Sequence, residues 1–443
     1  MKLNFTKRLA LPMLSLGVWS CCIGQAARQE TETIIEAVRG GDSLKVIRLL
    51  DRGVDANFRG EHQYTPLIAA ARYNHLDIAR TLCDRGGDVD AVADIAELSG
   101  ESGFTPLLWA ASNCNVDMAS LLMDRGATVG RPGAEGDTPL MIAARSNCLQ
   151  LVKLFIEKGA AVDEIREYDR ATALEEAVIK GHLDVADYLI GRGANFETRD
   201  KYGRSMLAQA ASSGSLALVR YFLEKGLPVN GRDDYGKTAI FGALRQTYEG
   251  RYILQCLVEH GGDPTVKSKL GTTPLMHASL DGQAWQVGYL IEKGAAVNDA
   301  DFRKETPLHY ACRGIPDRLQ PVFRGGRESE ATIKLLLDKG AHVNVIDFNG
   351  KTPLMNAASN EAPRVIDLLL NHGAQVNAQD KKGWTALMHA ADWDQTAVIN
   401  VLVQRGADLN LRNAKGETAL AVAKKYKHTA RAYELLKSLG AKE

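Results

Sequence analysis

This sequence has no excess of charge of either sign. Its 54 Lys and Arg residues balance 54 Asp and Glu residues, so the formal net charge is zero. Proteins that bind nucleic acid mainly through its phosphates usually carry a clear positive excess, and the composition therefore indicates no nucleic-acid partner. The chain interior also lacks an apolar run of about 20 residues, the length that a membrane-spanning helix needs.

Motifs of catalysis and metal binding are lacking too. The chain contains no Gly-rich phosphate loop, no Cys-x-x-Cys pair and no His-Glu-x-x-His segment. Acidic pairs such as Asp233-Asp234 and Asp163-Glu164 lie in short polar stretches that are typical of solvated turns. We therefore expect a protein that is not an enzyme, with no catalytic residue, no metal, no cofactor and no small-molecule substrate.

A short signal of the type Thr-Pro-Leu is what the chain has in abundance. Eight of the ten gaps between its copies are 33 to 35 residues, and the other two are 40 and 46. Such a period is typical of small units that must stack on their neighbours to bury their apolar faces, which predicts a solenoid. The eleven copies begin at Thr65, Thr105, Thr138, Thr172, Ser205, Thr238, Thr273, Thr306, Thr352, Thr385 and Thr418.

Each signal predicts the start of a helix, because the Thr oxygen can cap the helix and Pro is tolerated at its first position. An alanine follows five residues after every capping position, which indicates close approach of neighbouring helices there. A second helix with an apolar stripe follows and ends at a glycine such as Gly126 or Gly193. The next stretch runs out and back through a Gly-rich tip, giving helix, turn, helix and hairpin.

The segment Asp347-Phe348-Asn349-Gly350-Lys351-Thr352-Pro353-Leu354 makes the chain resemble the ankyrin-repeat family over residues 31–443. This resemblance implies an all-α repeat solenoid of helix-turn-helix units with β-hairpin tips, in about twelve repeats. Residues 31–57 would form the N-terminal cap repeat and residues 418–443 the C-terminal cap repeat. Two copies depart from the pattern: Arg170 replaces the tip glycine, and Ser205-Met206 replaces Thr-Pro, which predicts a weaker cap.

Two insertions interrupt the period, one near residues 91–104 and one within residues 314–330. Insertions in repeat proteins usually lie in loops, often on a binding face. The longer one carries Arg318, Phe323, Arg324 and Arg327, which suits either a plain surface loop or a recognition element.

The N-terminus predicts export. Lys2, Lys7 and Arg8 precede a short apolar run and a small-residue site at Ala26, so residues 1–26 resemble a secretory signal peptide. Its removal would leave a net charge of −3, since it holds three positive charges and no negative ones. Cys21 also fits a bacterial lipobox in part, so a membrane association is expected only if Cys21 is lipidated. Either route predicts a periplasmic, envelope-associated or secreted protein.

Five cysteines would remain after cleavage: Cys83, Cys114, Cys148, Cys256 and Cys312. We expect free, buried thiols, because Cys114 and Cys148 lie in successive repeats that stack about 10 Å apart, beyond the roughly 7 Å limit for a disulfide. His75 and His182 match an ankyrin loop position where histidine ordinarily forms a hydrogen bond between repeats. His309, after Thr306-Pro307-Leu308, is expected to have a similar structural role.

The predicted function is a non-catalytic scaffold that binds a partner protein through its hairpin tips and concave face. The same surface could instead belong to a host-directed secreted effector, and an enzyme with an unrecognised site is the remaining alternative. The first four tip stretches sum to a net charge of −8 and the later seven to about +2, which favours a partner with basic groups toward the N-terminal half. Aromatic residues at the tips and at one helix end are the candidate contacts: Tyr64, Phe104, Tyr202, Tyr235, Phe302, Phe348, Trp384 and Trp393.

Overall fold

A computed structural model of the protein describes residues 34–60, 63–93, 103–245, 249–313, 326–425 and 429–443, with the side chains of 326–329 outside it. The proposed signal peptide, Cys21 and most of both insertions lie outside the described residues. Within them the chain forms helices joined by turns and has no β-strand, although one antiparallel bridge joins Arg199 and Ser205.

The chain divides after Phe196 into two compact units. In the described part of the first unit the helices are α1 (34–39), α2 (Ser43–Asp51), α3 (Pro66–Arg72), α4 (Leu76–Asp84), α5 (Pro106–Ser112), α6 (Val116–Asp124), α7 (Pro139–Arg145), α8 (Leu149–Glu157), α9 (Ala173–Lys180) and α10 (Leu183–Gly191).

The second unit has the same alternation of a shorter and a longer helix. Its helices are α11 (Met206–Ser213), α12 (Leu216–Glu224), α13 (Ala239–Ala243), α14 (Gly250–Glu259), α15 (Pro274–Leu280), α16 (Ala284–Glu292), α17 (Pro307–Arg313), α18 (Gly326–Asp338), α19 (Pro353–Ala358), α20 (Pro363–Asn371), α21 (Ala386–Asp392), α22 (Thr396–Gln404), α23 (Ala419–Lys424) and α24 (Ala430–Ser438).

The predicted caps open most of the first helices of the pairs. In α3, for example, the Thr65 hydroxyl accepts a hydrogen bond from the Ile68 amide at 3.3 Å, and Pro66 stands at the first helical position. Ser205 replaces this Thr and still accepts from the Ala208 amide at 3.3 Å. A cap of this kind stabilises a helix by about 1 kcal/mol. Thr238 makes no such bond, so the weakened cap is at α13 rather than at Ser205.

Helices of successive pairs pack first on first and second on second within each unit. The recurring alanine lies at this contact: Ala70, Ala210 and Ala390 are fully buried. Glycines close the second helices in the left-handed region, as at Gly126 (φ 93°) and Gly193 (φ 95°). The core of each unit therefore lies between stacked helix pairs, and the tips lie outside it.

Candidate functional site

The tips are tight turns organised by one aspartate. In the tip before α21, the Asp380 amide donates to the Trp384 carbonyl at 2.9 Å, and the Asp380 carboxylate accepts from the Lys382 and Trp384 amides at 2.8 and 2.9 Å. The same pattern surrounds Asp200, Asp233, Asp301 and Asp347. These carboxylates are therefore occupied by their own turns, and Asp233 in particular has this turn-forming role.

Backbone hydrogen bonds connect the tips of the second unit in a ladder. The Asp234 amide donates to the Tyr202 carbonyl at 3.0 Å, and the Lys269 amide donates to the Tyr235 carbonyl at 2.8 Å. The same step continues from Phe302 through Phe348 and Lys381 to Ala414. Because each tip is fixed to the next, side chains on successive tips keep a constant spacing.

Four predicted tip aromatics are exposed on this ladder. Tyr202 and Tyr235 are 41% and 55% exposed, with ring centroids 6.4 Å apart, and Phe302 and Phe348 are 75% and 61% exposed. They stand three or four residues before the helix cap, at the outermost part of each turn. Tyr202 and Tyr235 also border a concavity of about 350 Å³ whose lining includes Ser212 of the first-helix face.

Tyr64 and Phe104 correct the prediction, since both are buried and present no ring to a partner. Each immediately precedes its capping threonine, where the chain has already turned back toward the helix. The Phe104 ring packs edge-on against Trp109 at 5.2 Å. Trp384 occupies the same position and is half-buried against His389, also at 5.2 Å. Trp393, at the end of α21, is exposed as a contact residue needs to be.

Polar residues four positions after the cap line the first-helix face, a feature that the sequence pattern did not single out. This position is polar in five helix pairs, at Glu176, Gln209, His277, Asn356 and His389, whereas it holds Gly242 in α13 and Tyr310 in α17. Both amide atoms of Gln209 are buried without a hydrogen-bond partner among the described residues. The recurrence of polar side chains at one position of a packed helix was the signal in the sequence that could have identified this face.

Ionisation on this face is set by burial. Burial, with a smaller contribution from Lys237, lowers the pKa of His277 to about 4, and burial also lowers the pKa of His389. Burial and a hydrogen bond to Asp301 raise the pKa of Tyr310 to about 12. The two imidazoles are therefore neutral at neutral pH, and Tyr310 keeps its hydroxyl proton.

The histidines singled out by the sequence are structural. The Nε2 atoms of His75 and His182 donate to the Arg39 and Arg145 carbonyls of the preceding helix pair at 3.3 and 3.0 Å, as predicted. His309 accepts from the Thr306 amide at Nδ1 and donates from Nε2 to the Lys351 carbonyl at 3.1 Å. These hydrogen bonds connect successive helix pairs.

A buried ion-pair cluster joins two adjacent helix pairs of the first unit near the departure at Arg170, whose φ of 64° preserves the left-handed turn without glycine. Arg166 is 6% exposed and contacts Asp137, Asp169 and Glu176, and Arg145 contacts Asp137 at 2.6 Å and Glu176 at 2.8 Å. Each charge has an opposite partner, so the cluster is a structural element of the first unit.

Cys114 and Cys148 form a disulfide, which corrects the expectation that they are free. Their Cα atoms are 5.7 Å apart, with Cys114 in the turn between α5 and α6 and Cys148 at the N-terminal cap of α8 in the next helix pair. The 10 Å spacing describes helix axes and not these turns. Cys83, Cys256 and Cys312 remain free, and burial raises the pKa of each thiol.

Neither a metal site nor a membrane span emerges from the part of the chain that the structure describes. Its His, Cys, Asp and Glu side chains form no group of three that could hold a metal ion. None of its helices combines the length and apolar character that crossing a bilayer requires.

Comparisons with known proteins agree with the geometry. The family model for ankyrin repeats in three copies matches residues 34–133, 129–200, 190–268, 247–320 and 324–413. An ankyrin repeat-containing protein of Schizosaccharomyces pombe is 38% identical over 60 residues, which are 14% of this chain and 29% of the relative. The match thus covers less than a third of that relative's length.

Proposed function

Because the chain belongs to the ankyrin-repeat family, we propose that it is an exported, non-catalytic scaffold that binds a partner protein through its tips and first-helix face. Ankyrin repeats indicate a protein-protein interaction module and are generally non-catalytic. We further propose that the helix pairs, from the cap pair α1–α2 to the cap pair α23–α24, represent twelve repeats. The partner would contact the second unit, where exposed tips and a polar helix face adjoin.

The row of exposed aromatics on the tip ladder carries this proposal. Tyr202, Tyr235, Phe302 and Phe348 expose large rings on turns that backbone hydrogen bonds hold together. Rigid aromatic side chains offer a large contact area at low entropic cost, and they often dominate the energy of protein interfaces. Preorganised tips also reduce the ordering cost of binding.

Two observations support export. The N-terminal 26 residues have the charge and apolar pattern of a signal peptide, and disulfides such as Cys114–Cys148 persist mainly in oxidising compartments. We propose an envelope-associated or secreted protein. Mass measurement of the mature N-terminus would distinguish cleavage after Ala26 from lipidation at Cys21, and an intact leader in the exported fraction would contradict both.

Affinity capture tests the binding surface. The mature chain would be used as bait in an envelope extract, beside a variant with Ala at Tyr202, Tyr235, Phe302 and Phe348. A control variant with Ala at Tyr252 and Trp285, which are exposed on the second helices, removes apolar surface elsewhere. We expect the tip variant to lose a specific partner that the control retains. Retention of every captured protein by the tip variant would refute the proposal.

A further inference from the structure

A concavity of about 920 Å³ lies near the C-terminal end of the second unit. Residues of α19 and α21 line it together with three successive tips, those of 349–351, 380–384 and 414–417. We propose that this cleft binds an acidic peptide segment in which carboxylates flank an apolar or aromatic side chain. The inference rests on the proposed protein-binding function and names the chemistry of one part of the partner.

The rim of the cleft has a surplus of positive charge. Six cationic residues line it, and three acidic residues accompany them. Lys351, Lys382 and Lys415 come from three successive tips, and their ammonium groups form no ion pair with any described residue. A carboxylate-bearing segment lying across the tips would therefore find an unpaired cation at each of them.

Two of the three acids are already occupied. Asp380 is buried, and its carboxylate accepts hydrogen bonds from its own turn and lies 3.4 Å from the His389 Nε2 atom. Glu417 is held by Lys425 at 2.7 Å and by the Asn413 amide at 2.9 Å. Asp392 is the remaining acid, and it lies at the end of α21 that is farthest along the helix from the tips. Its position leaves the tip side of the cleft cationic.

The cleft also has groups suited to the rest of a peptide. Trp393 is 55% exposed, and Trp384 is half-buried in the wall, so an apolar side chain would have aromatic surface to cover. The Nδ2 atom of Asn356 is buried and has no hydrogen-bond partner among the described residues. A peptide carbonyl would satisfy this donor.

A single-stranded nucleic acid would also meet lysines and tryptophans. We take a peptide as the occupant, because ankyrin repeats indicate a protein-protein interaction module. Nucleic acid is therefore a competing outcome that the test must distinguish.

Fluorescence anisotropy with the mature chain provides the test. The probe is a labelled synthetic peptide with glutamates on both sides of a central Leu-Phe pair, and its twin carries glutamine at each glutamate. A labelled oligothymidylate is the third probe. We expect the acidic peptide to bind roughly tenfold more tightly than its amide twin at low salt, with the difference falling as salt rises. Equal binding of the twins, or tighter binding of the oligothymidylate, would overturn the inference.

Charge-reversal variants locate the binding. The cleft variant carries Lys351→Glu, Lys382→Glu and Lys415→Glu, and the matched control carries Lys269→Glu, Lys304→Glu and Lys339→Glu, three exposed lysines outside the cleft. Both change the net charge equally. We expect the cleft variant to lose at least roughly tenfold in affinity for the acidic peptide and the control less than about threefold. Equal losses would show nonspecific attraction and overturn the inference.

Folding and the broader proposal are checked separately. Thermal unfolding shows whether both triple variants fold. If the cleft variant does not fold, two single variants, Lys382→Glu and Trp393→Ala, are tested separately in its place. Each single variant should reduce the affinity for the acidic peptide by roughly threefold or more. Unchanged affinity in both would refute the cleft as the binding site. If the tip variant loses its captured partner while the peptides show no charge preference, the protein-binding function stands and this inference fails.

Discussion

Cys114 and Cys148, 34 residues apart in sequence, are joined across the turns of adjacent helix pairs with their Cα atoms 5.7 Å apart. This bond covalently fixes the stacking of one repeat on the next in the first unit. In a repeat protein, where stability comes largely from contacts between neighbours, such a link should stabilise the interface between them directly.

Removal of the disulfide is expected to destabilise the first unit. We expect Cys148→Ser to lower the free energy of unfolding by about 2–4 kcal/mol, because the unfolded chain regains the entropy of an open loop. Denaturant titration measures the loss. A reductant should lower the free energy of unfolding of the wild type, and it should not change that of a variant with serine at positions 114 and 148.

Thiol counting provides the control for this prediction. In the denatured mature chain, alkylation should modify Cys83, Cys256 and Cys312 before reduction and all five cysteines after it. Five modified thiols before reduction would show that the bond does not form.

The buried ion cluster gives a second prediction. Arg166→Met would leave the buried carboxylates of Asp137 and Glu176 with Arg145 as their cation, so we expect a loss of about 3–5 kcal/mol in the free energy of unfolding. Arg125→Met, which removes a largely exposed pair with Asp84, should cost less than about 1 kcal/mol. Comparable losses in the two variants, measured by urea titration, would refute a special role for the cluster.

Acid should destabilise the second unit through His277. Its pKa is about 4 in the folded protein against an ordinary 6.5, so its stabilising effect is complete above pH 6.5 and is lost as the pH falls toward 4. We expect His277→Gln to reduce the loss of unfolding free energy between pH 7.5 and pH 5 by about 2 kcal/mol. Chemical denaturation at the two pH values measures this, and identical pH dependence in wild type and variant would contradict it.

Comparing substitutions at two tip glycines measures how much contacts between neighbouring tips contribute to stability. Gly350 and Gly416 have similar left-handed φ angles, 78° and 74°, but a Cβ atom at Gly350 would lie 2.9 Å from the Lys381 amide nitrogen, whereas one at Gly416 would meet no atom within 4 Å. We expect Gly350→Ala to cost about 1 kcal/mol more than Gly416→Ala. Thermal unfolding of the two variants tests this, and equal costs would mean that neighbouring tips contribute little to each other.

The repeat period predicted the fold because each unit repeats the same local chemistry. The Thr caps, the recurring alanine and the closing glycines all lie where the sequence pattern indicates, as at Thr65, Ala70 and Gly126. The predicted hairpin tips are closed turns, but hydrogen bonds between tips are too sparse to form strands in the described residues.

The candidate site was predicted less completely, since composition shows which tips are aromatic but not which rings are exposed. Tyr64 immediately precedes its cap and is buried, whereas Tyr202 stands three residues before its cap and is exposed. The number of residues between each aromatic and its capping residue would have distinguished the buried ring from the exposed one. The charge state of the C-terminal cleft could not be read from sequence, because it depends on which acids, such as Asp380 and Glu417, are already bonded.

Site-specific photocrosslinking in cells is the direct test of partner binding through the tips. A photoreactive amino acid would replace Tyr235, exposed on the tip ladder, or Tyr252, exposed on α14. We expect a discrete protein adduct from position 235 and none of the same size from position 252. Absence of an adduct at 235, or the same adduct from both positions, would contradict binding through the tips.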